Sequence, residues 1–226
     1  NCKTPNPMKN SKNFLRRLSS RFNNKTIKSI KIVATSAIIG AVVGSMAAFV
    51  LQRSQKPTTD ELIKEFYLIE NAVHISPHSL RRMMDKGDQS YVLVDLRSPQ
   101  EYEKEHIIGA VNIPAYKDPD TSAYEETDRI IKQFGELPKG KDIIVYCYST
   151  PCMTGRKVGL FLTERDIFVK HLGIGWNEWR QFWTLWNHEH ECKTTKPEDY
   201  IIGGKEPGTP KIRELPSPCG EGELSC

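Results

Sequence analysis

The chain has 226 residues and a formal net charge of +4, which fits one ordinary α/β domain with appendages and is short for two full domains. Eleven basic and no acidic residues precede Asp60, so the 21 basic and 28 acidic residues that remain give residues 60–226 a net charge of −7. Because the basic residues lie in the N-terminal segment and not on the domain, the charge speaks against nucleic-acid binding.

The N-terminal segment is a basic tail over residues 1–31, followed by an uncharged run over residues 32–51. Twenty helical residues span about 30 Å, the thickness of a bilayer's hydrocarbon core, so the run predicts a single transmembrane anchor. Nine basic residues precede it and two follow closely, which predicts a cytoplasmic N-terminus and an extracytoplasmic domain. A cleaved signal peptide with Ser45-Met46-Ala47 as its cleavage site is the alternative, although the run is longer than a usual signal core.

Small residues recur at every fourth position of this run, at Ser36, Gly40, Gly44 and Ala48. Such a stripe lets two membrane helices approach closely, so one expectation is a homodimer through the membrane helix. The other is that small residues are simply common in membrane spans, and both stay open.

After the anchor, three segments follow in chain order. Residues 52–69 predict a linker that becomes a helix, with Thr59 or Asp60 as its N-cap. Residues 70–187 alternate short apolar runs with helical patterns, which predicts an α/β domain with a mainly parallel sheet flanked by helices. Residues 188–226 are polar and rich in Gly and Pro, which predicts an irregular tail. The predicted strands are 72–75, 91–95, 110–113, 142–146 and 167–169, and the predicted helices are 76–87, 121–134, 157–164 and a tryptophan-bearing stretch over 176–186.

Cys147 directly follows the predicted strand 142–146 and precedes a polar loop and a helix. In parallel sheets, reactive sites lie at the carboxyl ends of the strands. Loop N–H groups and a helix N-terminus favour an anion, so we expect a depressed pKa for Cys147 and room for an oxyanion such as thiosulfate. The alternative is a cysteine that is merely a small buried hydrophobe.

Four segments together resemble the signature of the rhodanese-like (sulfurtransferase) family over residues 71–187, with Glu105 standing where the family often has Gly. The resemblance implies a three-layer α/β domain in which Cys147 carries sulfur. It also implies that Asp95 and Arg97 organise the site, or that they form a structural network with Glu101. The segments are Asp95-Leu-Arg97-Ser-Pro-Gln-Glu101-Tyr102, His106-Ile-Ile-Gly109-Ala110-Val-Asn112-Ile113-Pro114, Ile-Val-Tyr-Cys147 and His171-Leu-Gly173-Ile-Gly175-Trp176.

The segment after Cys147 departs from the family's common form, because the helical pattern resumes only at Val158 and predicts a loop about two residues longer. The Cys-x8-Arg spacing to Arg156 also differs from the Cys-x5-Arg of related phosphatases. Arg156 and Lys157 either supply positive charge to an anionic substrate or begin a solvated helix. The expected substrate-binding residues are Tyr148, Ser149, Thr150, Pro151, Met153, Thr154, Gly155 and Arg156.

Cys152 lies on the same loop as Cys147, where it could attack a Cys147 persulfide or form a disulfide, as resolving cysteines do. A cysteine that packs beneath the loop is the alternative. Cys219 and Cys226 could pair outside the cytoplasm. His188-Glu-His190-Glu-Cys192 contains metal-ligating residue types, but without a second ligand cluster we predict no metal and no cofactor.

The sequence therefore predicts a membrane-anchored sulfurtransferase that moves sulfane sulfur from thiosulfate or a persulfide to a thiol or cyanide through a Cys147 persulfide. One alternative is a Cys147/Cys152 thiol oxidoreductase or an arsenate-type oxyanion reductase. The other is a non-catalytic, membrane-tethered binding module. The expected partners are a small sulfur-containing anion or persulfide and the membrane.

Overall fold

The computed structural model describes residues 24–54 and 56–213 of the chain, and these described residues fall into two units that divide between Leu62 and Ile63. Helix α1 (Asn24–Ser54) contains the segment Thr26–Phe49, which is long and apolar enough to cross a membrane, with a mean hydropathy of 2.0. The predicted anchor, residues 32–51, lies within α1. Most of the basic tail, together with Cys2, Cys219 and Cys226, lies outside the described residues.

Helix α2 (Thr59–Val73) begins with a capping box one residue earlier than predicted. The Glu61 backbone N–H donates to Thr58 Oγ1 over 3.2 Å, and the Thr58 N–H donates to the Glu61 carboxylate over 2.7 Å. The prediction of Thr59 or Asp60 as the N-cap is wrong because the reciprocal pair needs a Thr and a Glu three positions apart, which only Thr58 and Glu61 supply here.

Helices separate most strands of the central sheet, as the sequence predicts, while the four strands between residues 106 and 122 follow one another directly. The strands are β1 (His74–Ile75), β2 (Tyr91–Asp95), β3 (His106–Ile107), β4 (Ala110–Asn112), β5 (Tyr116–Asp118), β6 (Thr121–Ser122), β7 (Asp142–Tyr146), β8 (Lys170–Leu172) and β9 (Ile201–Ile202). The helices are α3 (Pro77–Lys86), α4 (Pro99–Lys104), α5 (Thr127–Gly135), α6 (Thr154–Thr163), α7 (Trp176–Gln181) and α8 (Trp183–Trp186).

The central sheet has five parallel strands in the order β1-β8-β7-β2-β4, which confirms the predicted α/β class. Side chains alternate between its two faces. Ile144 and Tyr146 join a cluster that α3 and α7 cover through Leu80 and Trp179. Val145 and Cys147 join a second cluster, which Ile130, Phe134, Val158 and Leu162 cover from α5 and α6. The strand period of two therefore points Cys147 toward the α6 face.

Several predicted bounds are wrong, for local reasons. The strand predicted at 167–169 lies at 170–172, because Ile167 and Val169 pack against the second cluster as coil while Phe168 stays exposed. The helix predicted from residue 121 begins at Thr127, since residues 121–122 pair with β5 instead. The tryptophan-bearing helix breaks at Phe182, where φ is −121° and ψ is 45°. The first strand starts at His74, because α2 continues through Val73.

The segment 188–213, predicted as part of an irregular tail, is irregular in backbone but packs firmly on the domain. Strand β9 pairs with β3, and the Gly109 N–H donates to the Pro207 carbonyl over 2.6 Å. Tyr200 is only 2% exposed, and its hydroxyl donates to Asp85 Oδ1 over 2.9 Å. The polar, Gly- and Pro-rich composition thus correctly predicts an irregular backbone for this segment, but it does not predict the tertiary contacts that the segment makes.

Candidate active site

Cys147 is the first residue beyond β7, and its side chain is 1% exposed. The start of α7 holds the backbone on either side of it. The Trp176 N–H donates to the Cys147 carbonyl, and the Asn177 N–H donates to the Tyr148 carbonyl, each over 2.8 Å. Two hydrogen bonds from one short helix therefore fix where the loop leaves the sheet.

The loop after Cys147 comprises residues 148–153, because α6 begins at Thr154, three residues before its predicted start. The predicted lengthening of the loop is therefore too large. The Arg156 guanidinium donates to the Thr150 carbonyl over 3.2 Å and to the Cys152 carbonyl over 3.1 Å, so it bridges the loop from within α6. The predicted substrate-binding residues all lie on this loop or in the first turn of α6.

The two loop cysteines lie together, with Cys147 Sγ and Cys152 Sγ 3.0 Å apart. This distance exceeds the roughly 2.05 Å of a disulfide bond, and both residues are free thiols. The hydrogen bond between the two sulfur atoms, with the help of Thr154 and Tyr148, lowers the pKa of Cys152 to about 5. The same hydrogen bond, burial and the neighbouring charge raise the pKa of Cys147.

The anion of this pair therefore lies on Cys152, and the prediction of a depressed pKa for Cys147 is wrong for the resting dithiol. The physical reason is that Cys152 is less buried and has more hydrogen-bond donors. Burial of Cys147 penalises its charged form, while a thiol donor next to Cys152 favours the charged form there. One proton is shared between two sulfur atoms, and it spends more of its time on Cys147.

Thr154, the first residue of α6, is held by two tyrosines that the sequence did not single out. The Tyr124 hydroxyl donates to Thr154 Oγ1 over 3.0 Å, and the Tyr116 hydroxyl lies 2.7 Å from the same atom. Desolvation by burial raises the pKa of Tyr116 to about 12, so its hydroxyl keeps its proton. Both tyrosines come from the β5–β6 region, which carries no recognisable local motif.

Asp95 and Arg97 form a buried network at the carboxyl end of β2. Arg97 Nε donates to Asp95 Oδ1 at 3.1 Å, Nη2 donates to Oδ2 at 2.6 Å, and the Tyr146 hydroxyl also donates to Oδ2 at 2.6 Å. The Arg97 guanidinium also lies 4.2 Å from the centre of the Trp176 ring. The network joins β2, β7 and α7, and it reaches β7 at Tyr146, the residue before Cys147.

Glu101 connects the loop to helix α4, because its carboxylate accepts hydrogen bonds from both Tyr148 and Ser98. A cleft of about 200 Å³ opens beside Tyr148, and its lining includes Lys104 and Asn177. The sequence indicated Glu101 through the resemblance but gave no sign of this cleft.

His171 on β8 is a further buried group close to the loop. Its Nδ1 lies 2.8 Å from the Leu172 carbonyl, and its Nε2 has no hydrogen-bond partner among the residues that the structure describes. The ring packs against Gly155 so closely that a Cβ at Gly155 would overlap Nε2. Gly155 is therefore required by the contact between α6 and β8.

Gly175, just before α7, packs so closely against the loop that a side chain at this position would clash with it. A Cβ there would overlap the backbone N and Cα of Ser149, which cannot move without the loop. We expect Gly175→Ala to lower the free energy of unfolding by about 2 kcal/mol and to slow chemistry at Cys147. Gly135→Ala, at the end of α5 with nothing within 4 Å, is the matched control. Urea unfolding followed by tryptophan fluorescence measures both, and equal stability of the two variants would contradict this packing.

Comparisons with known proteins agree with the architecture. The family model described as the rhodanese-like domain matches residues 76–182. The thiosulfate:glutathione sulfurtransferase of Saccharomyces cerevisiae is 36% identical over 84 residues, which cover 36% of this chain and 59% of that protein. An HTH-type transcriptional regulator of Mycobacterium tuberculosis is 32% identical over 106 residues, 47% of this chain and 41% of that protein. The chain thus spans 59% or less of these curated relatives.

Solved structures resemble the chain at lower sequence identity. A protein from Lactobacillus plantarum is 21% identical with a TM-score of 0.45, and the match covers 56% of this chain and 95% of that one. A rhodanese-like domain from Anabaena is 16% identical with a TM-score of 0.37, and the match covers 68% of this chain and 96% of that one.

Proposed function

Because residues 76–182 of this chain form a rhodanese-like domain, we propose that the protein is a sulfurtransferase in which Cys147 carries sulfane sulfur as a persulfide. One observation carries the assignment to Cys147. Its sulfur lies at the carboxyl end of a central parallel strand, 3.0 Å from a second sulfur whose pKa is low enough to leave it anionic at neutral pH. A nucleophile and a proton acceptor are therefore in contact.

The first half-reaction begins when the Cys147 proton moves to the Cys152 thiolate across the 3.0 Å between the two sulfur atoms. The Cys147 thiolate then attacks the outer sulfur of thiosulfate. A new sulfur–sulfur bond forms as the old one breaks, and its electron pair leaves with sulfite. Cys147 now carries a persulfide, and Cys152 holds the proton.

In the second half-reaction, an acceptor thiolate or cyanide attacks the outer sulfur of the persulfide and takes it. The electron pair of the broken bond returns to Cys147, which recovers its proton from Cys152. The pair is then restored to the state in which it began. Cys152 acts here as a proton store, and no net oxidation of either cysteine occurs.

Burial limits the donors that can react in this site. Cys147 is 1% exposed and lies in a cluster against which Tyr148 and Cys152 pack, so a donor must present its sulfur at the end of a narrow group. Thiosulfate and a terminal persulfide meet this condition. A disulfide fits this condition less well. Each of its sulfur atoms carries an organic group, so the loop would have to move to admit it. We therefore favour a small sulfur-containing anion or a persulfide as the donor.

The 3.0 Å between the two sulfur atoms also favours a second candidate function, a thiol oxidoreductase. In that reaction Cys152 would displace a group bound to Cys147 and close a disulfide. Two electrons and two protons would pass from the thiols to the substrate, which would be a disulfide or an oxyanion of the arsenate type. The disulfide would then need reduction by an external thiol.

Mass spectrometry after exposure of the purified chain to thiosulfate tests both candidates. For a sulfurtransferase, we expect one added sulfur atom on the Cys147 peptide in wild type, and the same product formed more slowly in Cys152→Ser, because that variant lacks the acceptor for the Cys147 proton. Loading should fall as the pH is lowered through about 5, because protonation of Cys152 removes the acceptor for the Cys147 proton. For an oxidoreductase, wild type would instead show a Cys147–Cys152 disulfide, and Cys152→Ser would trap the loaded form. Absence of added sulfur on Cys147 in both proteins would refute the sulfurtransferase.

A further inference from the structure

Three metal-ligating side chains converge at a place that has no part in the chemistry of Cys147. His78 lies on α3, His188 follows α8, and Glu191 lies in a 3₁₀ turn of the C-terminal segment. One ligand atom from each lies within 4.8 Å of the others. Atoms at these separations can reach a common ion with small side-chain rotations, since zinc binds ring nitrogens and carboxylate oxygens at about 2.0–2.2 Å.

His78 contributes a ring nitrogen that lacks a partner. Its side chain is 16% exposed, and its Nδ1 is buried without a hydrogen bond to any residue in the described part of the chain. The carboxylate of Glu191 is 3.5 Å away, which is too far for a hydrogen bond. Because a buried polar atom without a partner is costly, a ligand bound to this nitrogen would remove that cost.

Glu191 is buried and firmly oriented, with a side chain that is 4% exposed. Arg81 binds its Oε1, and Asn187 in turn binds Arg81. Its other oxygen, Oε2, accepts the His188 backbone N–H over 2.8 Å and faces His78. Partners outside the ligand set that fix a metal-binding carboxylate in this way are usual around metal sites.

The donor set decides which ion fits. Two imidazoles and one carboxylate suit zinc and similar borderline metals, whereas calcium and magnesium need more oxygen ligands. Arg81 already balances the charge of Glu191, which further disfavours a hard cation that depends on carboxylate charge. Three protein ligands would leave the fourth tetrahedral position to water.

We propose that His78, His188 and Glu191 form a binding site for Zn²⁺ or a metal of similar preference. Since His78 belongs to α3 and the other two ligands to the segment after α8, the ion would fasten that segment to the domain. The cluster differs from the metal-ligating pattern visible in the sequence. His190 stacks on His188, with ring centres 5.7 Å apart, and lies outside the ligand set, while Cys192 packs against the first core cluster.

Zinc binding to the full chain tests the proposal, in a Cys147→Ser/Cys152→Ser background because adjacent thiols also bind zinc. After removal of metal with a chelator, ZnCl₂ is added in competition with a chromogenic chelator, and thermal unfolding is followed in parallel. We expect Zn²⁺ to raise the melting temperature of this parent chain. We expect His78→Ala to weaken the binding by more than about tenfold and to lose the shift.

His190→Ala is the matched control and should bind as the parent does. If His78→Ala fails to fold, as judged by circular dichroism, the exposed His188→Ala takes its place with the same expected loss. Equal binding by the parent and by the folded ligand variant would overturn the site. Loss of binding in His190→Ala to the same extent as in the ligand variants would overturn the assignment of the ligands.

Discussion

Replacement of Cys147 by Ser should reduce sulfur transfer at least about a thousandfold, because it removes the nucleophile. A serine hydroxyl stays protonated at neutral pH and does not form a persulfide. The substitution changes little volume at this nearly buried position, so the fold should persist. Thiocyanate formation from thiosulfate and cyanide measures the activity, and far-ultraviolet circular dichroism checks the fold.

Cys152 should not rescue this variant. The serine hydroxyl can still donate a hydrogen bond to Cys152, but the Cys152 sulfur lies on the loop and not at the carboxyl end of β7, where the sulfur donor is proposed to react. Cys192→Ser, which changes a free thiol in the C-terminal segment, is the control and should retain full activity. If Cys147→Ser kept cyanide-dependent turnover, the sulfur carrier would be another group.

Arg97→Met should cost about 3–5 kcal/mol of the free energy of unfolding, because it leaves the Asp95 carboxylate buried without its partner. Asp95 is fully buried, and both of its carboxylate oxygens accept charge-assisted bonds from this one guanidinium. Methionine keeps much of the length of the side chain, so packing against Trp176 is partly conserved. Urea unfolding gives the magnitude.

Arg180→Met is the matched control for this experiment. Arg180 also pairs with two carboxylates, Glu105 at 3.1 Å and Glu198 at 3.2 Å, but these pairs are partly exposed to solvent. We expect this loss to stay below about 1 kcal/mol. Asp95→Asn combined with Arg97→Met should recover part of the loss, since both charges are then absent. Equal losses for the two single variants would contradict a buried network.

The parts of the fold that the sequence predicted correctly depend on short local patterns. β2 and β7 are apolar runs, and each lies between two other strands of the central sheet. Their bounds were therefore predicted without error. The start of α6 was predicted wrongly. Its first turn consists of Thr154, Gly155 and Arg156, which lack the apolar spacing by which helices are recognised. Gly155 is required there by His171, a contact between residues that are distant in sequence.

The position of Cys147 and its proximity to Cys152 were also predictable, because a strand end and a short spacing are visible in the sequence. Which of the two sulfur atoms carries the negative charge could not be predicted from the sequence. That depends on Thr154, and Thr154 is positioned by Tyr116 and Tyr124 from a different part of the chain. The cluster around His78 was unpredictable for the same reason, since His78 and Glu191 meet only in the folded domain.

The buried position of Tyr200 has a consequence for the order in which this protein can fold during synthesis. The last strand of the central sheet ends at Leu172, so the ribosome delivers the whole sheet before it delivers Tyr200. Until then the first core cluster lacks an aromatic ring, and Asp85 lacks a hydrogen-bond donor that comes 115 residues later. Folding of the domain is therefore completed from its C-terminal end. A chain cut at residue 182, where the family match stops, would carry Cys147 and Cys152 with an unfinished core around them.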